Sequence, residues 1–497
     1  MKRTGRAATL ALLGGLMLLP TMAQARADIQ ADVVKAMPRL QSSMNGNDCT
    51  GAMKVVSPIL ARKDFPSLDA RLQAPILLAA TLCEGNSNQI EPALVHARAL
   101  TALPAAPDVA WRMRFGLELD SQRYGDAVTT LEAIQKVPSA AATIEDNWIF
   151  TLAQRFDGKP DDPDFVRLAA LISGDGFAPA RYNLDFEFLR LAHARHLAKA
   201  GKIDEAKAAL GKVRLGSLYR EASLDPVLRG LLPADFKLSD AYKREIATIE
   251  KMSIERPGLL GLPIALSGAQ RALGQDQQAL ATLESARPEG ALAKQFSDIG
   301  EQHIWWWNAM SQSYKRLGRY DDAVAAFRKA VDKGEMGRAN ISQTINLGFL
   351  QLHFGHYADA LATLETIDVN APGAASPYGL MAWHDAHACA AHMAGKADLA
   401  AADLAYVKAH EGDAAAVLTE VLACLGQTDA AAATVIARLD NPQQSAGALQ
   451  ELSTFLEPKT LPESPTAATY KAIAARSDVQ AAATRAGGAR IFDVYDE

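Results

Sequence analysis

Enzyme signatures are missing from this 497-residue chain. There is no H-E-x-x-H, no G-x-S-x-G, no G-x-x-x-x-G-K-S/T and no G-x-G-x-x-G, so no residue stands out as nucleophile or phosphate cradle. A basic excess is missing too. The chain has 51 Lys and Arg against 57 Asp and Glu, a net charge of −6, where a nucleic-acid binder carries clustered cations. Aromatic residues are only 6%. After the first twenty positions no apolar run reaches the roughly 18 residues of a membrane-spanning helix. The reading is a non-enzyme without a cofactor, without a membrane span and without a nucleic-acid partner.

The first 25 residues read as an export signal. Lys2, Arg3 and Arg6 precede an apolar run from Ala7 to Leu19, then Pro20 and the small-residue site Ala23-Gln24-Ala25. Cleavage near Ala25 takes three cations from the 51 and leaves a soluble chain of net charge −9. The signal and the alanine-rich usage together predict a bacterial periplasm.

What the chain does have is a recurring punctuation. A glycine is followed five residues later by alanine and nine later by a bulky apolar residue, six times over. The sets are Gly201/Ala206/Leu210, Gly274/Ala279/Leu283, Gly318/Ala323/Phe327, Gly355/Ala360/Leu364, Gly395/Ala400/Leu404 and Gly426/Ala431/Val435. Glycine past a helix end takes the left-handed conformation that stops the helix. Asp204, Asp276, Asp321, Asp398 and Asp429 then suit the first turn of the next helix. Alanine permits a close helix crossing, and the apolar residue four further on lies on the same face. From Gly274 onward the glycines fall 44, 37, 40 and 31 residues apart, the mark of stacked helical hairpins.

The clearest copy runs from Trp307 to Ala330 and resembles the tetratricopeptide repeat, with Trp307, Tyr314, Gly318, Tyr320, Ala323, Phe327 and Ala330 at matching positions. Met310 and Ser311 depart from it, standing where the family usually has Leu and Gly. The next copy restores Leu347 and Gly348 but lacks the tryptophan. The resemblance implies an all-α fold, a right-handed α-solenoid that binds protein or peptide partners on its concave side. It says little about which partner.

Prolines and glycines between Leu215 and Pro257 break the rhythm, and Leu224–Phe236 resembles the element that terminates such a run. The expected division is an irregular lobe over 26–236, a regular lobe over 237–460, and a capping segment over 461–497. The last contains one helix from about Thr466 to Arg485 and a loose tail from Gly487, whose Ile491, Phe492, Val494 and Tyr495 offer an alternative docking back. Asp157–Asp164 reads as a connector. Cys49 and Cys83 lie 34 apart, Cys389 and Cys424 lie 35 apart, each about one repeat. Of three possible pairings the local one is expected, and four buried thiols are the alternative.

Two local features bear on function. Consecutive helical residues turn by about 100°, so Trp305-Trp306-Trp307 sweep past a single apolar stripe. Either Trp305 faces the inner groove, or it packs with Trp306 on the preceding hairpin. Asn308, Gln312, Lys315, Arg316, Ile345, Asn346, Phe349 and His353 align to the same inner face, where amides and cations beside rings suit an extended peptide. These residues with Trp305 form the expected contact region. Six of ten histidines lie between His353 and His410, including the i,i+3 pairs His353/His356 and His384/His387. They support a second reading, a metal-binding or catalytic envelope protein, although no residue set qualifies as a metal site.

Overall fold

The computed structural model describes residues 22–156, 158–174, 177, 184, 186–334, 340–371 and 373–496, with side chains from Ile29 onward. The export signal expected over 1–25 lies outside these residues except for the backbone of 22–25.

Hairpin turns set the architecture. Gly201, Gly274, Gly318, Gly355, Gly395 and Gly426 all take φ between 68° and 79°, where an L side chain is strained. Each turn closes back onto the helix it ends. At Gly274, its N–H donates to Arg271 O and the Gln275 N–H to Gln270 O, both at 2.9 Å. Three more turns close the same way without glycine. Asn47, Asn88 and Gln122 hold the position at φ 53°, 58° and 60°. At Asn88, its N–H reaches Gly85 O and the Gln89 N–H reaches Glu84 O. Asparagine visits this region readily, which is why a search for glycine passes over the N-terminal hairpins.

The chain forms two compact units, residues 1–182 and 183–497. In the first, three hairpins are Met22–Asn45 with Cys49–Leu60, Ala70–Asn86 with Ile90–Thr101, and Asp108–Asp120 with Tyr124–Ile134. Ile29, Val33, Val56, Ile76 and Leu77 build the core of the first two. Cys49 is bonded to Cys83 across neighbouring hairpins, with a Cα separation of 5.1 Å. Shorter helices follow, ending in Pro163–Ser173. Asp162 caps that last helix by accepting the Asp164 N–H at 2.9 Å. Residues 158–162 of the acidic run form the connector, Pro163 and Asp164 open the helix, and Asp157 lies outside the described residues.

In the second unit the punctuation does what its chemistry demands. Ala206, Ala279, Ala323, Ala360, Ala400 and Ala431 are all buried, as are their partners Leu210, Leu283, Phe327, Leu364, Leu404 and Val435. The regular hairpins are Gly261–Ala272 with Asp276–Ser285, Ile299–Arg316 with Tyr320–Val331, Ile341–His353 with Tyr357–Leu364, Pro377–Met393 with Ala397–Ala409, and Ala415–Cys424 with Thr428–Leu439. Cys389 and Cys424 are bonded, joining the first helices of the last two. The fold is an all-α solenoid.

The division at 236/237 is not where the compact units part. Helices Glu187–Lys199, Ile203–Leu210 and Gly216–Leu224 share one core with the C-terminal end of their own unit, including Leu422, Leu439, Leu449, Val479 and Val494. That shared apolar burial places 183–236 in the second unit, because neither end could shield these residues alone.

The C-terminal segment differs from expectation in two ways. The single helix is two, Ala467–Ala474 and Ser477–Ala486, interrupted where Arg476 turns extended at ψ 135°. Arg476 there reaches Asp429 and Asp478. The tail is not loose either. Strand β2 (Ile491–Tyr495) pairs in parallel with β1 (Thr454–Leu456), and its side chains alternate, Phe492 and Val494 buried, Ile491 and Asp493 exposed. Asp493 accepts from the Ser239 N–H at 3.1 Å and the Ser239 hydroxyl at 2.6 Å, at the start of helix Leu238–Glu255. Tyr495 lies against Gly274, so close that a Cβ there would come within 2.5 Å of its ring. Glycine at 274 is therefore needed for room as well as for φ.

Candidate functional site

The expected contact residues run along one side of the first helix in two adjacent hairpins. On Ile299–Arg316 that side carries Trp305, Asn308, Gln312 and Lys315, at steps of three and four. On Ile341–His353 it carries Asn346, Phe349 and His353. Trp305 is 48% exposed and Phe349 38%. Trp306 and Trp307 are buried: the Trp306 N–H donates to Leu283 O at 3.0 Å, and Lys329 lies 4.1 Å over the Trp307 ring. The three rings thus divide, two into the core and one outward. Asn308 and Gln312 are half-buried, and the Asn308 amide donates to Gln343 Oε1 at 3.1 Å. Asn346 is half-buried as well, whereas Ile345 is buried in core.

Arg316 does not belong to this surface. It is buried, pairing with Asp276 at 3.0 Å and donating to Arg271 O at 3.3 Å. The Tyr495 ring sits 4.5 Å from its guanidinium. One residue beyond Lys315 means about 100° of rotation, enough to turn the side chain into the seam with the preceding hairpin.

Lys315, Phe349 and His353 meet in a cavity of about 220 Å³. Its further lining includes Asp385 and Glu420 from the next two first helices, the disulfide of Cys389 and Cys424, and Ser464–Thr466 of the C-terminal segment. That segment is tied down where the Thr460 hydroxyl donates to Arg316 O at 2.6 Å. Asp385 and Cys389, and likewise Glu420 and Cys424, stand one helical turn apart, so the disulfide fixes the two carboxyls on facing helices.

The cavity shifts its ionisable groups. Burial, with Lys315 nearby, pushes His353 down to about 4, so the imidazole is neutral at pH 7. Burial and the neighbouring Arg316 and Arg271 lower Lys315. Burial, then Glu420, raises Asp385 well above the carboxylate range. Glu420 is pushed up to about 7, chiefly by burial, against the hydrogen bond it accepts from the Tyr470 hydroxyl at 2.7 Å; Glu451 adds to the rise and Arg438 opposes it.

A pH effect on stability follows from Glu420. The unfolded chain loses this proton near pH 4.5, whereas the folded chain keeps it to about 7. Between those values the native state binds more protons, so stability falls as pH rises and is level above the window. One proton contributes a slope of about 1.4 kcal/mol per pH unit. Denaturant titrations at pH 5 and 7 should find Glu420→Gln losing less stability than wild type over that interval. An unchanged difference contradicts the assignment.

The histidine-rich region is occupied by its own partners. His384 Nδ1 and His387 Nδ1 contact the two oxygens of Asp403 at 2.7 and 2.6 Å. His387 stacks on Trp383, His384 on Tyr406, and Tyr406 on His410. His356 stacks on Tyr320, and His392 is exposed. Among the described residues no group of three His, Cys, Asp or Glu side chains is placed to hold a metal ion.

Sequence reasoning missed Asp385 and Glu420. Both line the cavity, and the cysteine spacing was the available signal: each acid lies four residues before a bonded cysteine. The segment 464–466 carried no such signal.

No protein-family model matches this chain, and no curated protein matches it. The structure has likenesses among solved structures at low identity. The crystal structure of the APC/C hetero-tetramer Cut9-Hcn1 is 10% identical, over 92% of this chain and 96% of that one, with a TM-score of 0.28. Yeast Tom70 is 11% identical, over 84% and 94%, with a TM-score of 0.22. The P58(IPK) TPR domain is 16% identical, over 75% and 94%, with a TM-score of 0.17. The turns, the buried alanines and the packed helix pairs are this chain's own evidence for its fold. It is a tetratricopeptide-like stack of helical hairpins.

Proposed function

We propose that the second unit is a scaffold that binds an extended polypeptide along its inner helix faces, with Trp305 and Phe349 as anchors. The exposure of Trp305 carries the reading. A tryptophan left outside the core, beside two that are packed within it, is the kind of side chain on which interfaces concentrate their energy. Asn308, Gln312 and Asn346 would supply donors and acceptors to a peptide backbone. Two disulfides suit an oxidising compartment, which supports export to the periplasm, and no helix among the described residues is long and apolar enough to cross a membrane.

The test is a selection of phage-displayed random 12-residue peptides on the full chain. Selected peptides should bind Trp305→Ala at least tenfold more weakly, since an anchoring tryptophan contributes about 2 kcal/mol or more. Ile254→Ala, at a position 83% exposed on helix Leu238–Glu255, should leave affinity unchanged. Equal binding to wild type and Trp305→Ala overturns the reading.

A further inference from the structure

The cavity beneath Phe349 holds polar groups that the protein itself leaves unanswered. His353 Nε2 is buried without a hydrogen-bond partner. Lys315 and Asp385, both half-buried, line the same cavity, and no hydrogen bond or ion pair ties either to another described residue. Buried polar groups are normally satisfied, and each unsatisfied one costs about 1–3 kcal/mol. An orphaned imidazole nitrogen beside a lysine and a carboxyl without partners, all on one cavity of about 220 Å³, points to a ligand rather than to accidental mispacking.

The order of the groups specifies that ligand. Lys315, His353, Asp385 and Glu420 come from four successive first helices, so the interior is basic at one side and acidic at the other. Between them lie the Phe349 ring, Leu352 and the Cys389–Cys424 disulfide, which are apolar. Lys315 and Asp385 stand two hairpins apart on the cavity wall, with room for a stem between them. We propose that this cavity binds a small extended zwitterion, its carboxylate at Lys315 and His353 and its ammonium at Asp385 and Glu420, with an apolar stem between. His353, neutral at pH 7, has an unpartnered nitrogen to offer the carboxylate, and an arriving ammonium would favour ionisation of the raised carboxyls. The site shares only the Phe349 ring with the face proposed to hold polypeptide, and its test with small zwitterions fails or succeeds apart from the peptide selection.

The test uses the full-length chain and ω-amino acids of increasing length, from 4-aminobutanoate to 10-aminodecanoate, titrated calorimetrically at pH 7. Affinity should peak at one chain length and fall for shorter and longer ones. The best zwitterion should bind at least tenfold more tightly than the alkylamine or the alkanoate of the same length. Lys315→Met should erase the advantage of the zwitterion over the amine, and Asp385→Asn its advantage over the alkanoate. These are ratios measured within one folded variant, whose helicity and melting temperature are checked beside wild type, so a loss of fold is not mistaken for a loss of site. Glu420→Gln, which retains an acceptor for Tyr470, should weaken the zwitterion with less structural risk. No binding at any length, equal binding of zwitterion and single-charge analogues, or binding indifferent to all three substitutions overturns the proposal.

Discussion

Trp306→Ala is expected to destabilise the second unit by about 4 kcal/mol, while Trp305→Ala changes its stability by less than about 0.5 kcal/mol. The two residues are adjacent and chemically identical, so composition and local propensity cancel in the comparison. Trp306 is fully buried, packs edge-on to Trp307 with ring centroids 4.6 Å apart, and donates its N–H to Leu283 O. Truncation there opens a cavity between two hairpins, and such truncations typically cost about 3–5 kcal/mol. Trp305 has half its surface in solvent and no comparable contact to lose. Denaturant unfolding followed by far-ultraviolet circular dichroism measures both. Similar losses for the two variants would place both rings in the core and leave the inner face without an anchor.

Phe492→Ala is expected to cost about 3–5 kcal/mol, although only five residues follow it. Phe492 is buried and stacks on Phe455 with centroids 5.0 Å apart. Val494 beside it is buried in the core shared by both ends of the unit, and Asp493 between them caps helix Leu238–Glu255. Removing everything after Gly488 should therefore cost at least as much as Phe492→Ala. Ile491→Ser, at a site 87% exposed, should stay within about 0.5 kcal/mol of wild type. The strand's own alternation is the control: inward positions matter and outward ones do not. A full-strength truncated chain would show that the ends of the unit hold together without this strap.

These effects also mark what was legible in the sequence. Glycine, alanine and the following apolar residue fix a turn, a close crossing and a buried contact, and all three are local consequences of backbone geometry. They were readable because each repeats. Asn47, Asn88 and Gln122 perform the same turn with less distinctive residues, so the N-terminal hairpins were fainter. The cysteine pairs followed from their match to the repeat length. The burial of Arg316 was not readable, because it depends on Asp276 in the preceding hairpin and Tyr495 in the tail. Strand β2 has only five residues, and its pairing with Thr454–Leu456 joins segments whose closeness only the closed solenoid creates. Asp385 and Glu420 were hidden for a related reason. In the sequence only the cysteine four residues on marks each of them; their enclosure depends on the disulfide and on the segment at Ser464–Thr466 that wall them in.

The claim at the centre is that the interior side of the regular hairpins, and not the outer surface, receives a partner. Site-specific photo-cross-linking tests it most directly, with p-benzoylphenylalanine placed singly at position 305 or at position 254 of the full chain. Incubated with a peptide selected on wild-type protein and irradiated, the chain substituted at 305 should form the covalent adduct and the chain substituted at 254 should not. Adducts of equal yield at both positions, or an adduct at 254 alone, would contradict the account.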